Sequence, residues 1–136
     1  MYRNVTMKKA SIRLLLPLLA IATLLAGCTS TSITNLTPSR YPRNPNGLYP
    51  FHVELKSNQQ SLRRESIKPF VVIGMDAYPM QPTAMMKHRW ETLVPVAADK
   101  PVVNYKFKFD YDYNSIPIRR PNSKMSQPFQ LHIQGQ

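Results

Sequence analysis

Val103-Asn104-Tyr105-Lys106-Phe107-Lys108-Phe109-Asp110-Tyr111-Asp112-Tyr113 sets valine, tyrosines and phenylalanines on one parity and Asn, Lys and Asp on the other. Successive side chains of a β-strand point to opposite faces, so a period of two held this long predicts a strand with one apolar and one wet face. The odd positions are expected in a core. On the even row, Asp110 and Asp112 can offset Lys106 and Lys108 or pair with lysines of a neighbouring strand.

The same alternation recurs on both sides of this stretch. Phe51, Val53 and Leu55 alternate with His52, Glu54 and Lys56, and Phe129, Leu131 and Ile133 alternate with Gln130, His132 and Gln134. Both predict half-buried strands. The continuous run Phe70-Val71-Val72-Ile73 predicts a central strand, and residues 88–96 predict another, carrying the single tryptophan, Trp90. Pro69, Pro95, Pro101, Pro117, Pro121 and Pro128 fall at or near strand ends, where a missing donor does least harm. After residue 28 no stretch has the length and period of a convincing helix; residues 83–89, crowded by Pro79 and Pro82, predict only a turn. The expected class is all-β: five to seven short strands in a two-sheet sandwich rather than a closed barrel.

The amino-terminal segment has a different character. Arg3, Lys8, Lys9 and Arg13 lead into an apolar run over residues 14–26 that contains Pro17 and Thr23. That run is too short to span a hydrocarbon core of ~30 Å. It ends in Leu25-Ala26-Gly27-Cys28, which contains the chain's one cysteine. This pattern resembles the lipobox of bacterial lipoprotein signal peptides. The resemblance implies cleavage between Gly27 and Cys28, a diacylglyceryl group on the Cys28 thiol and acylation of the new amino terminus. Thr29, where such proteins carry aspartate for retention, implies sorting to the outer membrane, on its periplasmic or surface face. Met7-Lys8-Lys9-Ala10 is a more typical opening for such signals than Met1, which leaves two candidate starts.

Removal of residues 1–27 leaves 109 of the 136 residues, enough for one small domain. Four of the 18 Lys and Arg residues lie in the signal, so 14 remain against 7 acidic residues, a net charge of +7 rather than +11. In an exported protein a basic surface meets anionic headgroups, lipopolysaccharide or cell-wall polymers before nucleic acid. With Cys28 lipidated no thiol remains, which excludes a disulfide framework, a cysteine zinc site and a cysteine nucleophile. Residues 28–46 read as the lipidated cysteine and a Pro/Ser/Thr-rich tether, in which Ile33 and Leu36 admit a first edge strand over 33–37. Residues 47–136 read as the sandwich domain.

Within that frame, Ile33-Thr34-Asn35-Leu36-Thr37-Pro38, then Asn46-Gly47 and the alternating run from Phe51 to Leu55, is similar to the start of immunoglobulin-like early-set domains. The resemblance implies an immunoglobulin-like sandwich from the cysteine-free branches of that architecture.

Several constellations bear on chemistry. Trp90, followed by Tyr105-Lys106-Phe107-Lys108-Phe109, resembles starch- and glycogen-binding sandwich modules, where a flat ring covers the apolar face of a sugar. Against that, the tyrosines share parity with Phe107 and Phe109 and should point inward. Asp110-Tyr111-Asp112-Tyr113-Asn114 imitates half a calcium loop, but Ser115 stands where glycine is required and no glutamate closes it. His52, His88 and His132 are isolated from one another in sequence; if the first and last strands are neighbours, His52 and His132 form a metal pair, and otherwise they are polar surface. No metal site and no catalytic residue is assigned, because no Gly-x-Ser-x-Gly turn, phosphate loop or paired acids occur. The segment 75–86, with Met75, Met80, Met85 and Met86 beside Tyr78 and prolines, offers an adaptable docking loop in which Tyr78, Met80, Met85 and Met86 are the candidates. The alternative is that its methionines plug the open end of the sandwich.

The expected function is that of a lipid-anchored cell-envelope lipoprotein, a non-enzymatic structural or protein-interaction module. It needs no cofactor beyond the covalent lipid on Cys28. Its partners are the membrane and an envelope protein or polysaccharide, not nucleic acid. The alternative is a carbohydrate-binding surface lipoprotein using Trp90 and Tyr105. A lipopolysaccharide or cell-wall ligand would need Arg63, Arg64, Lys106, Lys108, Arg119 and Arg120 on one surface.

Overall fold

The computed structural model describes residues 29–135, so the signal segment, its cleavage site and Cys28 lie outside the described residues. Two sheets account for the described chain. The first runs in the order β1 (Thr31–Asn35), β3 (Leu48–Ser57), β7 (Arg89–Pro95), β6 (Gln81–Pro82). The second runs β2 (Arg40–Pro42), β10 (Phe129–Gln134), β8 (Val102–Tyr113), β4 (Lys68–Ile73), β5 (Asp76–Pro79), with β9 (Arg120–Met125) paired to β8. Among the described residues the only helix is a single 3-10 turn, Arg64–Ser66. All ladders are antiparallel except β2 on β10.

This order is the immunoglobulin arrangement. β1, β3, β7 and β6 stand in the places of strands A, B, E and D, and β10, β8, β4 and β5 in those of G, F, C and C′. The long strand β8 is the spine of the second sheet. Its first half pairs with β10, from Val102 opposite His132 to Tyr105 opposite Phe129, and its second half pairs with β9, from Lys108 opposite Met125 to Tyr113 opposite Arg120. Between the two partners the hydroxyl of Ser126 accepts the Phe107 N–H at 2.9 Å, a side chain standing in for the missing backbone acceptor.

Burial follows the alternation. Val103, Tyr105, Phe107, Phe109 and Tyr111 are buried, as are Tyr49, Phe51, Val53 and Leu55 on β3 and Leu131 and Ile133 on β10. The two inner faces are joined by edge-on aromatic pairs: Phe51 on Tyr105 with ring centroids 4.8 Å apart, and Trp90 on Phe109 at 5.5 Å. Such pairs contribute ~0.5–1.5 kcal/mol beyond the area they bury, and Phe51–Tyr105 joins β3 to β8, in the places of the strands that a disulfide bridges in antibody domains.

Three expectations change. The segment 28–46 is not a tether over its described length: β1 pairs with β3 from Thr31 opposite Ser57, and β2 pairs with β10. Prolines 38 and 42 punctuate two edge strands instead of preventing them, because an edge strand can spare a donor. The domain therefore begins at Thr31, and its edge strand occupies 31–35 rather than 33–37. The run 70–73 does have neighbours on both sides, but only Val71 is fully covered; Phe70 and Val72 face outward, half-buried. Finally, residues 75–86 are not one loop, since β5 and β6 pass through them.

Candidate interaction site

The chain enters the first sheet at an end that three other segments share. Ser30 and Asn58 hold each other, Ser30 N–H to Asn58 Oδ1 at 2.7 Å and Asn58 N–H to the Ser30 carbonyl at 3.2 Å. Beside them the hydroxyls of Thr31 and Ser57 are 2.8 Å apart, and Lys124 of the second sheet donates to the Thr31 carbonyl. Residues 58–67 then cross to the second sheet. Leu62 is buried there as an isolated bridge to Tyr113, and Asn114 N–H donates to the Ser61 carbonyl at 2.8 Å. Ser66 fixes the crossing: its hydroxyl donates to the Arg63 carbonyl at 2.6 Å and accepts the Asp112 N–H at 2.8 Å.

The loop 83–88 and the turn 114–119 complete this end. The His88 carbonyl accepts the Leu55 N–H at 3.0 Å, and Arg64 Nη1 donates to the His88 ring at 3.1 Å. Met85 and His88 have positive φ, 59° and 65°. For side chains other than glycine this left-handed conformation costs ~1–2 kcal/mol, and Met85 is fully exposed. Met86 is exposed on the same loop, and Ile116 (97%) and Ile118 are exposed on the turn between β8 and β9.

Around the corner, on the outer face of the second sheet, lies an open cleft of about 890 Å³ lined by Arg63, Glu65, Lys68, Asp110, Arg119 and Ser123 among others. Two ion pairs tie up part of its charge. Arg63 Nη2 lies 2.6 Å from Glu65, and Lys108 Nζ lies 3.0 Å from Asp110. Desolvation alone would raise the Asp110 carboxyl, but the Ser123 hydrogen bond and the charges of Lys108 and Lys68 outweigh it and hold it below the usual range. Glu65 is also lowered, by its own backbone hydrogen bond and then by Arg63. Among the described residues no group of three or more His, Cys, Asp or Glu could hold a metal ion.

The sequence candidates separate. Tyr78 is half-buried against the core and Met80 is buried at 7% exposure, its N–H bonded to the Pro69 carbonyl, so these two are core rather than docking residues. Met80 lies where the chain leaves β5 in one sheet for β6 in the other, a position that faces inward. Met85 and Met86 remain exposed. Tyr105 is 2% exposed and Trp90 packs on Phe109, so this pair presents no stacking platform; only the outer edge of Trp90 reaches a hollow of about 260 Å³ shared with Leu36 and Met86. His52, beside Glu91 at 3.6 Å, and His132, opposite Arg40, lie on the outer faces of different sheets, so they do not form a metal pair. Asp110 and Asp112 lie on a strand, not in a loop that could wrap calcium. Of the basic candidates, Arg63, Arg64, Arg119 and Arg120 gather at the end where the chain enters, while Lys106 and Lys108 lie farther along β8. Sequence reasoning gives no place to Ile116 and Ile118; the available signal was an Ile-Pro-Ile turn set between polar residues and an arginine pair.

No family model matches this chain, and neither does any curated protein sequence. Among solved structures, one of murine CRIg is similar at 10% identity, covering 77% of this chain and 98% of that one with a TM-score of 0.39.

Proposed function

We propose that this chain is a lipid-anchored lipoprotein of the bacterial cell envelope whose sandwich works as a non-enzymatic structural or protein-interaction module. The observation that carries the reading is Leu25-Ala26-Gly27-Cys28, placed after a basic segment and a short apolar run. The acyl groups on Cys28 would contribute ~0.8 kcal/mol per buried methylene, enough with several chains to make attachment effectively permanent. Thr29 favours the outer membrane as destination. No cofactor takes part in this reading. Sugar stacking on Trp90 and Tyr105 is left out of it, because both rings are engaged by the core.

Cell fractionation with mass spectrometry tests the proposal. The expected mature chain begins at Cys28, carries acyl mass and sediments with outer membranes, and Cys28→Ser is expected to abolish processing or release the protein. A wild-type chain recovered soluble and without acyl mass would overturn the reading.

A further inference from the structure

We propose that the end of the sandwich formed by residues 58–67, 83–88 and 114–120 lies against the surface of the bilayer. In this placement Met85, Met86, Ile116 and Ile118 enter the headgroup layer, and Arg64, Lys87, Arg119 and Arg120 meet anionic phosphates. The inference rests on the lipid-anchored reading above and adds to it an orientation and a second point of contact.

Three independent observations converge on this end. The first is covalent reach. Only Thr29 separates Cys28 from Ser30, a span of at most about 7 Å, and Ser30 is pinned to Asn58. Acyl chains on Cys28 therefore leave the domain beside this end, with no tether to hold it clear of the headgroups. The second is charge. Residues 58–67, 83–88 and 114–120 contain Arg63, Arg64, Lys87, Arg119 and Arg120 against one acid, Glu65, whereas the turns 43–47, 74–75 and 96–101 at the opposite end contain Arg43 and Lys100 against Asp99. Basic residues next to a membrane anchor are drawn to anionic lipid. The third is exposed apolar surface. Met85, Met86, Ile116 and Ile118 make up half of the large hydrophobic side chains exposed among the described residues, and Met85 has a left-handed backbone.

Apolar tips among basic residues are the composition of surfaces that settle at the headgroup–acyl boundary. Such contacts are weak alone. With the lipid a few ångströms away they become intramolecular, and modest contacts are then enough to fix an orientation. A docked sandwich would turn the Met75 hairpin and the loop 96–101 away from the membrane.

The test uses the full lipidated protein reconstituted in vesicles of phosphatidylcholine and phosphatidylglycerol in equal parts. Cys28 is consumed by its lipid, so Met86→Cys, Ile118→Cys and Met75→Cys each supply a single thiol for an environment-sensitive fluorophore. The expected result is blue-shifted emission and several-fold stronger quenching by spin-labelled phosphatidylcholine at 86 and 118 than at 75. Equal quenching at all three sites, or none at 86 and 118, overturns the proposal. So does a shift at 86 that appears only as the protein-to-lipid ratio rises, which would assign this end to a second copy of the chain. Vesicles lacking phosphatidylglycerol are expected to weaken quenching at 118; unchanged quenching would overturn the role given to the arginines. Absence of acyl mass on the protein overturns the anchoring reading and this inference together, whereas an acylated protein unquenched at 86 and 118 overturns the inference alone.

Discussion

Asn35 on the first strand donates a 2.8 Å hydrogen bond from Nδ2 to the hydroxyl of Tyr105, 70 positions along the chain. The same amide accepts the Thr37 N–H through Oδ1 at 2.9 Å. Burial raises the Tyr105 pKa, and the bonds from Asn35 and Thr37 only partly offset it, as expected for a phenol placed among apolar side chains. Removal of Asn35 leaves that hydroxyl without its donor in the interior. Asn35→Ala is therefore expected to cost about 1–3 kcal/mol in urea denaturation, and Asn35→Ala combined with Tyr105→Phe is expected to cost less than the sum of the two single changes. Strict additivity would show that the bond contributes nothing to folding.

Phe107 and Lys106 are sequence neighbours with opposite environments. Phe107 is fully buried between the sheets, and Lys106 faces outward opposite Val72. Phe107→Ala is expected to cost about 3–5 kcal/mol, and Lys106→Ala to stay within about 0.5 kcal/mol, in thermal melts. Equal tolerance of both changes would contradict the parity of β8.

Met80 and Met86 divide a segment that looks uniform in composition. Met80→Ser places a hydroxyl in the core and removes a long apolar side chain, so a loss of about 2–5 kcal/mol is expected. Met86→Ser, at an exposed position, is expected to leave the melting temperature nearly unchanged. A stable Met80→Ser variant would return this residue to the surface.

The titration behaviour is asymmetric. Burial and the neighbouring Tyr113 hydroxyl push Tyr111 up to about 12, and burial raises Tyr41 as well. A group whose pKa is higher in the folded state stabilises fully below its unfolded value, about 10 for tyrosine, and loses that contribution as pH rises through the folded value. On the acid side Glu54, held down by its hydrogen bond to Lys56 and by Arg89, and Asp110, held down by Ser123 and Lys108 against desolvation, stabilise above the usual carboxylate range. That contribution is lost as pH falls through their lowered values. Melting temperatures are expected to be level between these ranges and to fall beyond pH 10, with Tyr111→Phe flattening the alkaline fall. An unchanged alkaline limb in that variant would place the cause elsewhere.

Much of the fold was legible in the sequence because one face of each main strand is buried and the other is wet. Phe51, Val53 and Leu55, Tyr105 to Tyr111, and Leu131 with Ile133 announce their faces by parity alone. Residues 29–46 were legible only in the edge strand admitted over 33–37, because Ser, Thr, Asn and Pro compose edge strands as readily as they compose linkers. Met80 and Met86 were indistinguishable for a related reason: methionine fits a core gap and an exposed loop equally well, and the chain crossing between sheets decides which occurs. The candidate interaction site was the least legible feature. Arg64 and His88, or Leu62 and Tyr113, lie far apart in the chain and meet only through strand order, and no local pattern encodes that meeting.

The last strand of the chain does not lie at an edge. β10 is inserted between β2 and β8, so a strand that follows the other described strands in sequence stands inside the second sheet and not at its rim. A chain that emerges from the ribosome amino end first cannot close this sheet until β10 has emerged. Until then the first half of β8 has an open edge and β2 has no partner strand. Completion is thus timed by β10, and loss of that strand would be a defect of assembly, not of trimming.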